Sequence, residues 1–153
     1  MPTEIIKAYI AGFIDGEGCI NISKVITKDN TPYYNLRLSI AQKVKKPLEL
    51  ISKYYFDGTL YLDKSGGKNF RDSDKTYSCY KYQLNGEKAY RLLNDIEKYI
   101  YLKKEEVQLG LQFRDMQKMY FMDNLYVNDN TREIYYKLQE EYYQEMKAMK
   151  HRN

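Results

Sequence analysis

The sequence predicts an α+β fold in which helices cover one face of a four-stranded antiparallel sheet. Three observations carry this expectation. Two pairs of segments alternate apolar and polar residues, apolar stripes at helical spacing lie before and after each pair, and the order that results is αββαββ followed by further helices. At 153 residues the chain is expected to form one domain, residues 1–153, with enough length to bury a core.

The elements follow in order. Pro2 and Thr3 precede Ile6, Tyr9, Ile10 and Phe13 at helical spacing, so a first helix runs from there to the glycines near residue 16. Over residues 19–26, Ile20 and Ile22 fall on one face and Cys19, Asn21 and Ser23 on the other, and residues 28–32 supply turn chemistry. Leu36, Leu38 and Ile40 then alternate with Asn35, Arg37 and Ser39, which completes a hairpin with one apolar and one polar face. Pro47 stands at a first-turn position ahead of Leu48, Ile51, Tyr54 and Tyr55, a short helix closing before Asp57-Gly58. Residues 59–63 and 76–84 read as a second strand pair around a long polar loop, 64–75, whose length marks it as functional or mobile. After Asn85-Gly86, Tyr90, Leu93, Ile96 and Ile100 mark a third helix, and residues 104–122 a fourth. Ile134, Leu138, Tyr142, Met146 and Met149 form the apolar stripe of the last.

The first helix carries an anomaly. Gly12 lies inside an apolar helical run, where glycine costs about 1 kcal/mol relative to alanine, and Ala8, Gly12 and Gly16 share one face. Small residues on one face let two backbones approach closely. The helix ends with Asp15 and Glu17 interleaved with Gly16 and Gly18, although carboxylates at a helix C-terminus oppose the macrodipole. One segment thus combines a close-packing face with candidate chemistry.

Ile10-Ala11-Gly12-Phe13-Ile14-Asp15-Gly16-Glu17-Gly18 strongly resembles the LAGLIDADG motif of homing endonucleases, with isoleucine for the leading leucine. That resemblance implies the αββαββα LAGLIDADG homing-endonuclease fold, here with additional C-terminal helices, and motif helices that pair at a dimer interface. It implies Ala8, Ala11, Gly12, Asp15 and Gly16 as interface residues, and Glu17, with the backbone of Gly16, as ligand of a divalent metal. Mg²⁺ suits such a site because it takes few carboxylates, keeps waters and binds phosphate oxygens; Mn²⁺ is an alternative. Glutamate stands where many members of the family have aspartate, and both occur. In Ile40-Ala41-Gln42-Lys43 the resemblance makes Gln42 the residue that orders water, and in Leu102-Lys103-Lys104 it makes Lys103 the cation near the scissile phosphate. The segment 109–115 has a glycine and an aspartate but lacks the flanking pattern, so the chain carries one motif and is expected to work as a homodimer.

The same resemblance lays the polar sheet face on DNA. Asn21, Ser23, Arg37, Ser39 and Lys43 on the first hairpin, Lys28 in its turn, Tyr61 and Lys81 on the second pair, and Lys68 and Arg71 in the long loop are the expected contacts to double-stranded DNA. The implied activity is a staggered double-strand cut in a long pseudo-palindromic target, encoded within an intron of a bacterial or organellar genome. The alternative is a non-catalytic nucleic-acid binder of the same family, either an RNA maturase assisting splicing or a DNA-binding regulator.

Composition is compatible with both. The net charge is only +4, but residues 24–53 hold seven basic side chains and two acids, a local excess suited to a polyanion. Cys19 and Cys79 lack metal-ligand spacing and a disulfide framework. No apolar run approaches the roughly 20 residues of a membrane span, and the N-terminus lacks a signal pattern. An intracellular protein is therefore expected, in bacterial cytoplasm or an organelle, with neither membrane nor small-molecule cofactor. His151 stands in a polar tail and receives no role. The eighteen tyrosines and the absence of tryptophan fit an AT-rich coding sequence.

Overall fold

A computed structural model describes residues 1–64, 78–122, 124 and 128–151. Helix α1 (Glu4–Glu17) leads into strands β1 (Gly18–Ile26) and β2 (Pro32–Gln42), then α2 (Lys46–Tyr54), β3 (Thr59–Asp63), β4 (Cys79–Asn85), α3 (Glu87–Ile96), a 3₁₀ turn (Glu97–Tyr99), α4 (Lys104–Met122) and α5 (Asp129–His151). The α+β fold and the αββαββ order are as the periodicity implied. Thr3 caps α1 by accepting the N–H of Ile6 at 3.3 Å.

The four strands form one antiparallel sheet in the order β1-β2-β4-β3, which leaves β1 at an edge. Its even-numbered face carries Ile20, Ile22, Leu36, Leu38, Ile40, Tyr82 and Leu84, all buried. Ile10 and Ile14 of α1, Leu48 and Ile51 of α2, Leu92, Leu93 and Ile96 of α3, and Val107 and Phe113 of α4 complete that core. Burying each such side chain contributes about 1.5–3 kcal/mol, and among the described residues the odd-numbered face has no comparable apolar cover.

Two stripes differ from expectation. In α3 the buried set is Ala89, Leu92, Leu93 and Ile96, Tyr90 is half-buried, and the helix stops before Ile100. In α5 Ile134 is exposed and Tyr135 and Gln139 are buried beside the expected Met146, while Leu138, Tyr142 and Met149 pack partly buried against the core. Both meet α4: Tyr135 packs on Tyr120 with ring centroids 4.9 Å apart, and Gln139 Oε1 accepts from Nε2 of buried Gln117 at 3.0 Å. A polar pair satisfied inside the core thus widens the buried face of α5 beyond its apolar stripe.

Candidate functional site

The uncovered sheet face is built by strand register. Cys19 faces Ser39, Asn21 faces Arg37, and Ser23 faces Asn35 across β1 and β2, while Ser39 faces Gln83 and Ala41 faces Lys81 across β2 and β4. Lys81 in turn faces Tyr61 of β3. Asn21, Ser23, Arg37, Ser39, Tyr61 and Lys81, far apart in sequence, therefore share one surface. Lys28 lies in the exposed turn beyond β1, and Lys43 is exposed just past β2. Lys68 and Arg71 lie outside the described residues.

Local bonds tune this surface. Arg37 donates from Nε to Asn85 Oδ1 at 3.3 Å, which leaves its terminal nitrogens for other partners. Lys81 pairs with Asp63, whose hydrogen bond holds the ammonium pKa above its ordinary value. Asn21 Oδ1 is buried with no hydrogen-bond partner. Lys24, part of the basic stretch, points the other way: its Nζ donates to Glu140 Oε2 of α5 at 2.8 Å.

At one end of the sheet three expected functional residues converge. Glu17 is exposed at the end of α1, immediately before β1. Gly18 pairs with Ile40, so Gln42, two residues further along β2, lies at that same end, where its Oε1 accepts the N–H of Lys43 at 2.9 Å. Lys103 comes from the loop ahead of α4, and its Nζ donates to the backbone carbonyl of Asp15. An ammonium at the carbonyl end of α1 complements the helix dipole and sits two residues from Glu17.

The motif glycines divide by cause. A Cβ on Gly18 would meet Ile14 O at 2.8 Å and Ile14 Cγ2 at 2.9 Å, so the tight exit from α1 into β1 requires glycine. A Cβ on Gly12 or Gly16 would meet nothing within 4 Å. Among the described residues, nothing in the chain's own packing accounts for those two. Ala8, Gly12 and Gly16 lie exposed in a row, flanked by Ile5 at 83% exposure and Tyr9 at 48%.

Two residues expected at an interface are engaged within the chain itself. Ala11 is fully buried in the chain's own core, turned about 100° round α1 from the open surface of Gly12. The Asp15 carboxylate is committed within the chain, accepting the N–H of Tyr101 at 2.8 Å and of Lys103 at 3.0 Å. Burial pushes that carboxyl up, but hydrogen bonds from the backbone N–H groups of Tyr101, Lys103 and Leu102 outweigh it, and its pKa ends below the ordinary value. Asp15 opposes the dipole of α1 yet sits at the N-terminal approach to α4, where a carboxylate is favoured.

Among the described residues no group of three His, Cys, Asp or Glu side chains converges as a metal site. What the chain offers is one exposed carboxylate beside the carbonyl end of a helix, a donor set that suits a cation keeping its waters. The segment 109–115 is a core helix: Gly110 is buried, and a Cβ there would meet Leu36 Cδ1 at 2.9 Å.

A LAGLIDADG endonuclease profile matches residues 10–104, more than half of the chain, from the motif helix to the start of α4. The chain belongs to the LAGLIDADG endonuclease family. No functionally curated protein matches it in sequence. Among solved structures it is similar to the archaeal intron-encoded homing endonuclease I-Vdi141I complexed with DNA, with TM-score 0.66 and 22% identity over 93% of this chain and 84% of that one. It is also similar to homing endonuclease I-CvuI in complex with the I-CreI target, with TM-score 0.61 and 21% identity over 84% of this chain and 80% of that one. The LAGLIDADG meganuclease I-CpaMI bound to uncleaved DNA aligns at TM-score 0.60 and 15% identity, over 82% of this chain but 41% of its own. At these identities the likeness is one of fold. No helix among the described residues of this family member is long and apolar enough to cross a membrane.

Proposed function

We propose that residues 1–153 form a single homing-endonuclease domain that acts as a homodimer and makes a staggered, Mg²⁺-dependent double-strand cut in a long pseudo-palindromic DNA target. The observation that carries this reading is the coincidence, at the end of α1, of an uncovered Ala8–Gly12–Gly16 face with the exposed Glu17 carboxylate. Pairing that face with a second copy joins two Glu17 residues about one two-fold axis, and the axis imposes the near-palindromic target. The 41% share of I-CpaMI that this chain covers fits one half of such an assembly.

The residues divide the work by position. Glu17, with the backbone at Gly16, would hold the divalent cation; bound there, such an ion lowers the pKa of water and stabilises phosphate charge. Gln42 orients water at the same end of the sheet. Lys103 places its ammonium against the charge that develops on the phosphate. Asn21, Ser23, Arg37, Ser39, Tyr61 and Lys81 meet base edges and backbone, with Lys28 and Lys43 beside them. Lys81 must exchange Asp63 for DNA to contribute. The encoding gene is proposed to lie in an intron, with the protein acting inside a bacterial cell or an organelle.

Glu17→Gln tests the reading, because it removes the proposed metal-binding charge and leaves the sheet face untouched. Incubation with the intronless junction and Mg²⁺ should show cutting by wild type and none by the variant, at nearly equal DNA affinity. Undiminished cutting by the variant removes Glu17 from the chemistry. Tight binding without cutting by wild type instead identifies a non-catalytic binder, whether maturase or regulator.

A further inference from the structure

Lys150, near the C-terminal end of α5, donates from Nζ to Sγ of Cys19 at 3.1 Å, across 131 positions of sequence. Cys19 is an odd-numbered, exposed residue of β1, the edge strand, two positions beyond Glu17. The C-terminus of α5 therefore reaches round the sheet edge to the uncovered face. On the other side of Glu17, Lys103 reaches the carbonyl of Asp15. Two ammonium groups thus bracket Glu17, one bound to residue 15 and the other to residue 19, each within two residues of it, at most about 7 Å of extended chain.

The Cys19 thiol does not account for this arrangement energetically. A thiol is a weak acceptor and uses one of the three ammonium donors, whereas a phosphate oxygen accepts a charge-assisted bond roughly twice as strong as a neutral one. We infer that Lys150 is a second cation of the cleavage site, binding a DNA backbone phosphate beside Glu17 on the edge-strand side. The inference rests on the proposed docking of duplex DNA on this face. It gives the last helix, which lies beyond the family match at residues 10–104, a role in binding.

The test is binding of the full-length chain to a mixed-sequence duplex over a salt series without Mg²⁺, where affinity is electrostatic and needs no target. Lys150→Gln should lower the slope of log K against log salt by about 0.9 for each bound subunit, and Lys150→Arg should restore it. Lys137→Gln, an exposed position about 20 Å away along the same helix, should leave the slope unchanged. The duplex should also slow alkylation of Cys19 in wild type and slow it less in Lys150→Gln. A wild-type slope and wild-type protection in Lys150→Gln, or an equal loss in Lys137→Gln, overturns the inference and leaves the nuclease reading standing. A wild-type protein that binds no duplex removes both.

Discussion

Asp15 and Lys103 hold each other twice: the Asp15 carboxylate accepts the backbone N–H of Lys103 at 3.0 Å, and the Lys103 ammonium donates to the Asp15 backbone carbonyl. This reciprocal pair fastens the end of α1 to the start of α4 across 88 positions. The first acid of the motif is thereby a strut that positions the proposed catalytic lysine beside the second acid.

Asp15→Asn should destabilise the chain by about 1–3 kcal/mol, because bonds to a charged acceptor exceed those to an amide. The sign of the pH effect follows from the depressed carboxyl pKa. Its contribution is fully present above the unfolded value, about pH 4, and is lost as pH falls through the lower folded value. Urea unfolding should show a large gap between wild type and Asp15→Asn near neutrality and a shrinking gap below about pH 4. A gap independent of pH would mean that the carboxylate charge is not the source of the stability.

Gly12→Leu separates interface from fold. The site is open within the chain, and leucine is the better helix former by nearly 1 kcal/mol, so the variant should fold. It should nevertheless sediment as a monomer and fail to cut both strands. A dimeric, active Gly12→Leu protein would place the interface elsewhere.

Gly18→Ala should behave in the opposite way, losing stability through its own chain. Its Cβ would press on a backbone oxygen that cannot rotate aside, and overpacking of this kind costs about 1–3 kcal/mol. An unchanged urea midpoint at equal protein concentration would show that the α1–β1 corner relaxes freely.

Arg37→Ala addresses recognition. Arg37 lies on the polar sheet face opposite Asn21, bonded through Nε to Asn85. If it reads a base edge, its loss should cost about 1–3 kcal/mol and relax preference at one or two positions of each half-site. Competition against a panel of single-base target variants measures this, and an even loss across the panel would reduce Arg37 to a backbone contact.

The order of elements, the apolar and polar faces of β1 and β2, the motif helix and its terminal Glu17 were all determined by the sequence alone, because periodicity is a local property that the backbone converts directly into a face. Contacts between distant segments are not encoded in this way. That Asp15 binds the 101–103 loop and that Gln117 and Gln139 pair inside the core depended on partners 22 or more positions away. Nothing in the sequence marks Lys150 beyond its charge, and only the packing of α5 along the β1 edge carried it to Cys19. Residue type and spacing determined which groups were available for the chemistry; the tertiary structure decided which of them meet, since a hydrogen bond requires two atoms about 3 Å apart whatever the length of chain between them.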